Sequence, residues 1–69
     1  MTLGQKVKHC REKLGYTQVE LAKRTQTSQS YISRLEKDDF NPSIQMIVSI
    51  AVTLGVSIDY LLIEDKQAI

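Results

Sequence analysis

A chain of 69 residues has room for one domain, and a domain of this size buries only about 60% of the surface that its unfolded chain exposes. Its single cysteine, Cys10, excludes an internal disulfide and a cysteine metal cluster, which favours a reducing cytoplasm. The polar N-terminus predicts no signal peptide, and no apolar run approaches the roughly 20 residues that span a bilayer.

The net charge of +1 hides an uneven distribution of charge. Residues 1–37 carry eight lysines and arginines against three acidic residues, a balance of +5, whereas residues 38–69 carry one against five, a balance of −4. Phosphates would attract the first half and repel the second. The distribution therefore favours a nucleic-acid partner and orients the molecule on a duplex.

The first predicted helix follows Thr2, which can cap it, and ends at Gly15, which supplies a left-handed residue. One apolar stripe runs along this helix at helical spacing and consists of Leu3, Val7, Cys10 and Leu14. The polar residues beside the stripe are expected to be solvated or to lie at its boundary: Lys6, Lys8, His9 and Lys13.

A short second helix begins after Thr17. Glu20 lies three residues after this cap, so the pair is predicted to form a reciprocal capping box. Leu21 and Ala22 face inward, and the helix ends by residue 25 after about two turns.

Ser28 caps a third helix, which runs from Gln29 to about residue 37. At about 100° per residue, five polar residues share one face: Gln29, Ser30, Ser33, Arg34 and Lys37. Ile32 and Leu35 anchor the opposite side. Gln pairs bidentately with adenine, Arg pairs with guanine and Ser pairs with several bases, so Gln29, Ser30, Ser33 and Arg34 are the predicted base readers. The alternative is a solvated face that happens to lack acidic residues.

Asn41 and Pro42 are predicted to open a fourth helix as its cap and first residue, and Gly55 ends it. Polar residues occupy only a narrow arc of this helix, so it is predicted to be the core helix.

Ser57 caps a fifth helix over residues 58–63, which is apolar on more than one face. A small core cannot cover all of these side chains, so the surplus predicts a self-association surface. Ile58, Leu62 and Ile63 are the predicted dimer interface and Leu61 is predicted core, although the reverse division also fits the pattern. Residues 64–69 are read as a short C-terminal tail.

Two capped helices joined by a turn of three or four residues describe a helix-turn-helix. The sequence closely resembles the lambda repressor and Cro, or Xre, family, and in detail small bacterial repressors of the SinR type. Four blocks in family order carry the resemblance: Thr17-Gln18-x-x-Leu21-Ala22, Ser28-Gln29-Ser30-Tyr31-Ile32-Ser33-x-Leu35-Glu36, Asn41-Pro42-Ser43, and Leu54-Gly55-Val56-Ser57-Ile58-Asp59-x-Leu61-Leu62. Two residues of the turn depart from the family pattern. Gln26 stands where the family usually has glycine, and a left-handed backbone conformation costs Gln roughly 1 kcal/mol relative to glycine. Thr27 stands where the family usually has an apolar residue.

The resemblance implies an all-α, compact five-helix domain over residues 1–63, with the helix-turn-helix at helices 2 and 3. It also implies an ion pair between Arg11 and Glu36 that clamps helix 1 to helix 3, the alternative being two independent surface charges. The residues expected to contact phosphate are Thr17, Gln18, Ser28, Tyr31, Lys37 and Asn41.

These features predict a sequence-specific regulator of transcription that binds an inverted repeat in double-stranded DNA as a homodimer. It is expected in the cytoplasm at the nucleoid, with no cofactor, metal or membrane partner. Repression is favoured and activation stays open. The alternatives are a restriction–modification controller, or an interaction module such as an antitoxin that holds a toxin or antagonist. An enzyme is not expected, because one His, one Cys and no clustered acids supply neither a metal site nor a nucleophile with its base.

Overall fold

The computed structural model describes residues 1–63, and within this range there are five α-helices and no strand. They are α1 (Leu3–Lys13), α2 (Gln18–Arg24), α3 (Gln29–Glu36), α4 (Ile44–Leu54) and α5 (Ile58–Leu62). The predicted all-α, five-helix fold is confirmed. None of these helices is long and apolar enough to cross a membrane. The predicted tail, residues 64–69, lies outside the described residues.

Each of the five helices begins at a side-chain hydroxyl that accepts the backbone N–H three residues later. The caps are Thr2, Thr17, Ser28, Ser43 and Ser57. A cap of this kind stabilises a helix by roughly 1 kcal/mol, because it satisfies a donor that the helix itself leaves unpaired.

The predicted start of α4 is wrong by two residues. Ser43 caps the helix by accepting the Met46 N–H at 3.1 Å, and Asn41 and Pro42 stay in the preceding loop. Asn and Ser are both strong caps, so local preference does not separate the two sites.

The capping box predicted at Thr17 forms only in half. The Thr17 hydroxyl accepts the Glu20 N–H, but the Glu20 carboxylate lies 3.4 Å from Arg24 Nη2 one turn later. A complete box occurs instead on α1, where the side chains of Thr2 and Gln5 each accept the other's backbone N–H.

The helices α1 to α4 all end at a left-handed residue, and these residues are Gly15, Gln26, Asp38 and Gly55. The N–H that follows each of them bonds back to the carbonyl five residues earlier, at distances of 2.8 to 3.1 Å. This is the Schellman arrangement, which satisfies the last carbonyls of a helix. Glycine adopts the conformation without steric cost, whereas Gln26 and Asp38 adopt it with a Cβ in place.

The core lies where α1 packs against α3, α4 and α5, and α2 packs on α3. Its buried side chains are Val7, Cys10, Leu21, Ala22, Ile32, Leu35, Ile47, Ile50, Ala51, Leu54 and Leu61. Cys10 and Leu61 are core residues, as predicted.

Two predictions about apolar residues are wrong, and a third holds only in part. Leu14 is 49% exposed, because α1 ends before it and Tyr16 packs against the core instead. The helix α4 is a core helix, as predicted, but on one face only, since Val52 on the other face is 75% exposed. Ile63 follows α5 in an extended conformation rather than continuing the helix.

Gly4 allows α1 to approach the end of α3 closely. A Cβ at this position would lie 2.5 Å from the Leu35 carbonyl oxygen. The Asp38 carboxylate holds the two elements together, since it accepts the Gly4 N–H at 2.9 Å and the Thr2 hydroxyl at 2.5 Å. The left-handed turn at Asp38 thus fixes α1 against α3.

Arg11 and Glu36 form a buried, two-pronged ion pair between α1 and α3. Arg11 Nε lies 2.7 Å from Glu36 Oε2, and Arg11 Nη2 lies 3.1 Å from Glu36 Oε1. The second Arg11 amine donates to the Tyr16 carbonyl at 2.7 Å, and Gln18 Nε2 donates to Glu36 Oε1 at 3.1 Å. The hydrogen bond to Glu36 raises the pKa of Arg11 above its ordinary value, so the guanidinium stays charged.

The expectation that Lys6 is solvated is wrong. Lys6 is only 3% exposed, and its ammonium donates to the Tyr60 carbonyl at 2.8 Å and to the Ile63 carbonyl. It also lies 5.1 Å from the centroid of the Tyr60 ring. These carbonyls belong to the end of α5, where a cation is favourable. Lys6 therefore ties α1 to α5.

We expect the Arg11–Glu36 pair to be strongly coupled. Glu36→Ala strands a buried guanidinium and should lower the free energy of unfolding by about 3–5 kcal/mol, and Arg11→Ala should have a similar effect. The double variant should lose clearly less than the sum of the two. Urea unfolding in a stabilising osmolyte would measure all three variants.

The same cycle on the exposed Arg24–Glu20 pair is the control, and its coupling should lie within about 0–1 kcal/mol. Additive losses at Arg11 and Glu36 would show that the two charges act independently.

Lys6→Met should destabilise the domain by about 1–3 kcal/mol, because two carbonyls lose a charged donor inside the protein. Lys8→Met, two residues along the same helix and exposed, should stay within about 0.5 kcal/mol of the parent. Denaturant midpoints of the two variants give the comparison. Equal stability would mean that Lys6 contributes nothing to the attachment of α5.

Candidate nucleic-acid interface

The turn between α2 and α3 is held by its own hydroxyl groups. Thr25 Oγ1 donates to the Leu21 carbonyl at 2.8 Å and lies 3.0 Å from Thr27 Oγ1. Gln26 between them has φ 59°, the left-handed conformation expected from the family pattern. Thr27 is half-buried, and its N–H bonds to the Ala22 carbonyl at 2.8 Å. The polar residue in an apolar family position is thus hydrogen-bonded on both backbone and side chain.

The structure brings the predicted base readers together on the outer face of α3. Gln29, Ser30 and Arg34 are exposed, and Ser33 is half-buried. Ile32 and Leu35 are buried on the inner face, while Glu36 is held by Arg11 beneath the helix. Amide, hydroxyl and guanidinium groups therefore project from a rigidly seated helix.

Arg34 is in contact with the loop that follows α3. Its Nε lies 3.8 Å from Asp39 Oδ2, and its Cζ lies 5.2 Å from the centroid of the Phe40 ring. The Phe40 ring also packs edge-on against Tyr31, with ring centroids 5.0 Å apart. The loop thus supplies a partner for the longest side chain on this face.

Five of the six residues predicted to contact phosphate fall into two groups. The hydroxyls of Thr17 and Ser28 already accept backbone N–H groups as helix caps, and the Gln18 amide donates to Glu36. Lys37 and Asn41 are exposed after the end of α3.

Tyr31 is half-buried behind the same face. Burial raises the pKa of its phenol above the ordinary value, so the hydroxyl is protonated and can donate a hydrogen bond at neutral pH.

The predicted dimer residues belong to a different part of the molecule. The helix α5 packs on α1 and α4, and Ile58, Leu62 and Ile63 on or beside it are exposed. Within residues 1–63, no group of three His, Cys, Asp or Glu side chains is placed to hold a metal ion.

Asp39 and Phe40 lie against Arg34 and were not among the predicted site residues. An acid and an aromatic residue after a helix look like ordinary loop residues. The signal that could have found them is the cluster of Asp38, Asp39 and Phe40 directly after the helix that is predicted to read bases.

Comparisons with known proteins agree on the family. The helix-turn-helix family model matches residues 7–61. The immunity repressor protein of Bacillus phage phi105 is 36% identical over an alignment 73 residues long. The alignment covers 99% of this chain and 51% of the repressor. The transcriptional regulator SinR of Bacillus subtilis is 38% identical over 66 residues, which cover 94% of this chain and 60% of SinR. The chain thus spans between half and three-fifths of the length of these relatives.

Solved structures give the same result. SinR in complex with DNA superposes with a TM-score of 0.84 at 36% identity, covering 90% of this chain and 100% of that one. The SinR complex with SinI gives 0.86 at 37% identity, covering 93% and 63%. The P22 c2 repressor on a synthetic operator gives 0.85 at 29% identity, covering 90% and 94%. The chain therefore belongs to the helix-turn-helix family, of the Xre or lambda repressor-like type.

Proposed function

We propose that this chain binds double-stranded DNA sequence-specifically, as a symmetric dimer, and represses transcription from an inverted-repeat operator. The observation that carries the proposal is the outer face of α3, where Gln29, Ser30 and Arg34 are exposed opposite the buried Ile32 and Leu35. These are side chains that pair with base edges in the major groove. Ser33, at the margin of the same face, completes the set.

Contacts to the DNA backbone would come from both ends of the helix-turn-helix. Thr17, Gln18 and Ser28 lie at the starts of α2 and α3, and Lys37 and Asn41 lie after α3. The protonated Tyr31 phenol adds one further donor. Such contacts fix the register of the protein on the duplex, whereas base contacts specify the sequence.

Dimerisation would use the exposed apolar side chains of the α5 region. Ile58, Leu62 and Ile63 are 37%, 46% and 62% exposed, although they lie next to the apolar core. A two-fold axis there would present two copies of α3 to one side of the duplex. Their expected separation is about 34 Å, one turn of DNA, which matches an inverted repeat.

A second candidate is a regulator whose activity is set by a protein partner. SinR, which is similar over most of this chain, has been solved in complex with the SinI protein. The exposed side chains of α5 would then hold an antagonist or toxin instead of, or in exchange for, a second copy. Repression at the nucleoid in the cytoplasm is compatible with either mode, and activation would require an additional contact with polymerase.

Selection from random duplex DNA should enrich an inverted repeat with half-sites about one helical turn apart. Affinity for the best site should fall steeply as salt rises, because phosphate contacts release counterions. Sequencing of the selected pool and a salt titration by fluorescence anisotropy are the measurements. Weak, salt-sensitive binding with no enriched sequence would contradict sequence-specific reading and favour the protein-partner candidate.

Arg34→Ala should cost about 1–3 kcal/mol on the selected site and relax the preference at one base pair. Random DNA should be bound almost as well as by the parent. Lys8→Ala, which removes the same charge from α1, is the matched control and should not change base preference. Equal losses on selected and random DNA would show that Arg34 contacts only the DNA backbone.

A further inference from the structure

We infer that Asp39 is a specificity-determining residue, which acts by orienting Arg34 for a guanine. The inference rests on the proposed function, in which Arg34 reads a base. Asp39 touches Arg34 rather than the base, so its role is that of a positioning residue.

The geometry leaves the correct atoms of Arg34 available. The Asp39 carboxylate faces Nε at 3.8 Å, and the Phe40 ring lies 5.2 Å from the guanidinium carbon. Within the part of the chain that the structure describes, no hydrogen bond or ion pair engages the terminal amines Nη1 and Nη2 of Arg34. A bidentate contact to guanine O6 and N7 uses two donors of this kind.

The backbone holds Asp39 in this place. Its N–H donates to the Arg34 carbonyl at 3.1 Å, which closes the Schellman turn, and the preceding residue, Asp38, is bonded to Thr2 and Gly4. Phe40 is held in turn by the Tyr31 ring. The support for the Arg34 side chain is therefore connected to the fold through several contacts.

Asp39 should have opposite effects on the two kinds of DNA. Asp39 restricts the Arg34 side chain to fewer conformations before DNA binds. Less conformational entropy is then lost on the selected site, so binding there is stronger. On unrelated DNA Asp39 brings a negative charge near the phosphates and compensates the charge of Arg34, so it weakens binding. Both effects increase the ratio of specific to non-specific affinity.

The test compares the full chain with Asp39→Asn, which keeps the shape of the side chain and removes its charge. Affinity for the selected site should fall by up to about fivefold, the range of an exposed ion pair, while affinity for random DNA should stay equal or rise. The guanine that Arg34 reads is then replaced with 7-deazaguanine, which lacks the N7 acceptor. This replacement should lower the affinity of the parent by a much larger factor than it lowers the affinity of the Asp39→Asn variant. Glu12→Gln, an exposed acid on α1, controls for charge and should leave the affinity ratio unchanged.

Repeating Asp39→Asn in an Arg34→Ala background tests whether the effect of Asp39 on affinity depends on Arg34. In that background Asp39→Asn should no longer lower affinity for the selected site. If Asp39→Asn raises affinity for both DNAs by the same factor, or lowers it equally with and without Arg34, the inference is wrong while the proposed function stands. If the parent enriches no sequence at all, the proposed function fails, and this inference fails with it.

Discussion

Beneath α3, the carboxylate of Glu36 meets the guanidinium of Arg11 in a space that is almost closed to solvent. A charge buried without a partner would cost several kcal/mol, so each group requires the other. Gln18 on α2 donates to the same carboxylate, and Arg11 also bonds the Tyr16 carbonyl between α1 and α2. One ion pair thus fixes α1, α2 and α3 relative to one another. The angle at which α3 presents its polar face follows from this network.

The end of α3 connects the fold to the candidate site. Asp38 takes the left-handed position of the turn and uses its carboxylate to hold the start of α1. The two residues that follow it then lie against Arg34. Because the same short loop closes a helix, joins α1 to α3 and contacts Arg34, the proposed base reader, changes in the loop are expected to affect both stability and the proposed recognition of DNA.

The other end of the molecule is built differently. Lys6 on α1 holds the end of α5 through backbone carbonyls, while Ile58 and Leu62 of α5 and one face of α4 are exposed to solvent. Polar groups therefore dominate the α3 face, and apolar groups dominate the α4–α5 surface. This separation is consistent with the proposed function, in which α3 meets DNA and the α5 region meets a second copy or a protein partner.

Local signals in the sequence determined most helix ends and the orientation of α3. Hydroxyl caps and left-handed residues at Gly15 and Gly55 marked helix ends, and apolar periodicity placed Ile32 and Leu35 inward. These rules act over one or two turns, so they also grouped the predicted base readers on one face. The Arg11–Glu36 contact came from family resemblance rather than from any local pattern.

Only the tertiary structure decided which helix faces are buried and which partners the charged ends of long side chains meet. Periodicity predicts that Val52 and Leu14 face the core. In the structure both are exposed, because no neighbouring element covers them. Lys6 is polar in any local rule, yet it is buried because the carbonyls at the end of α5 lie next to it. The partners of Arg34 likewise depend on a turn whose conformation is set by contacts with α1. Contacts between distant segments, rather than the preferences of neighbouring residues, decide these outcomes.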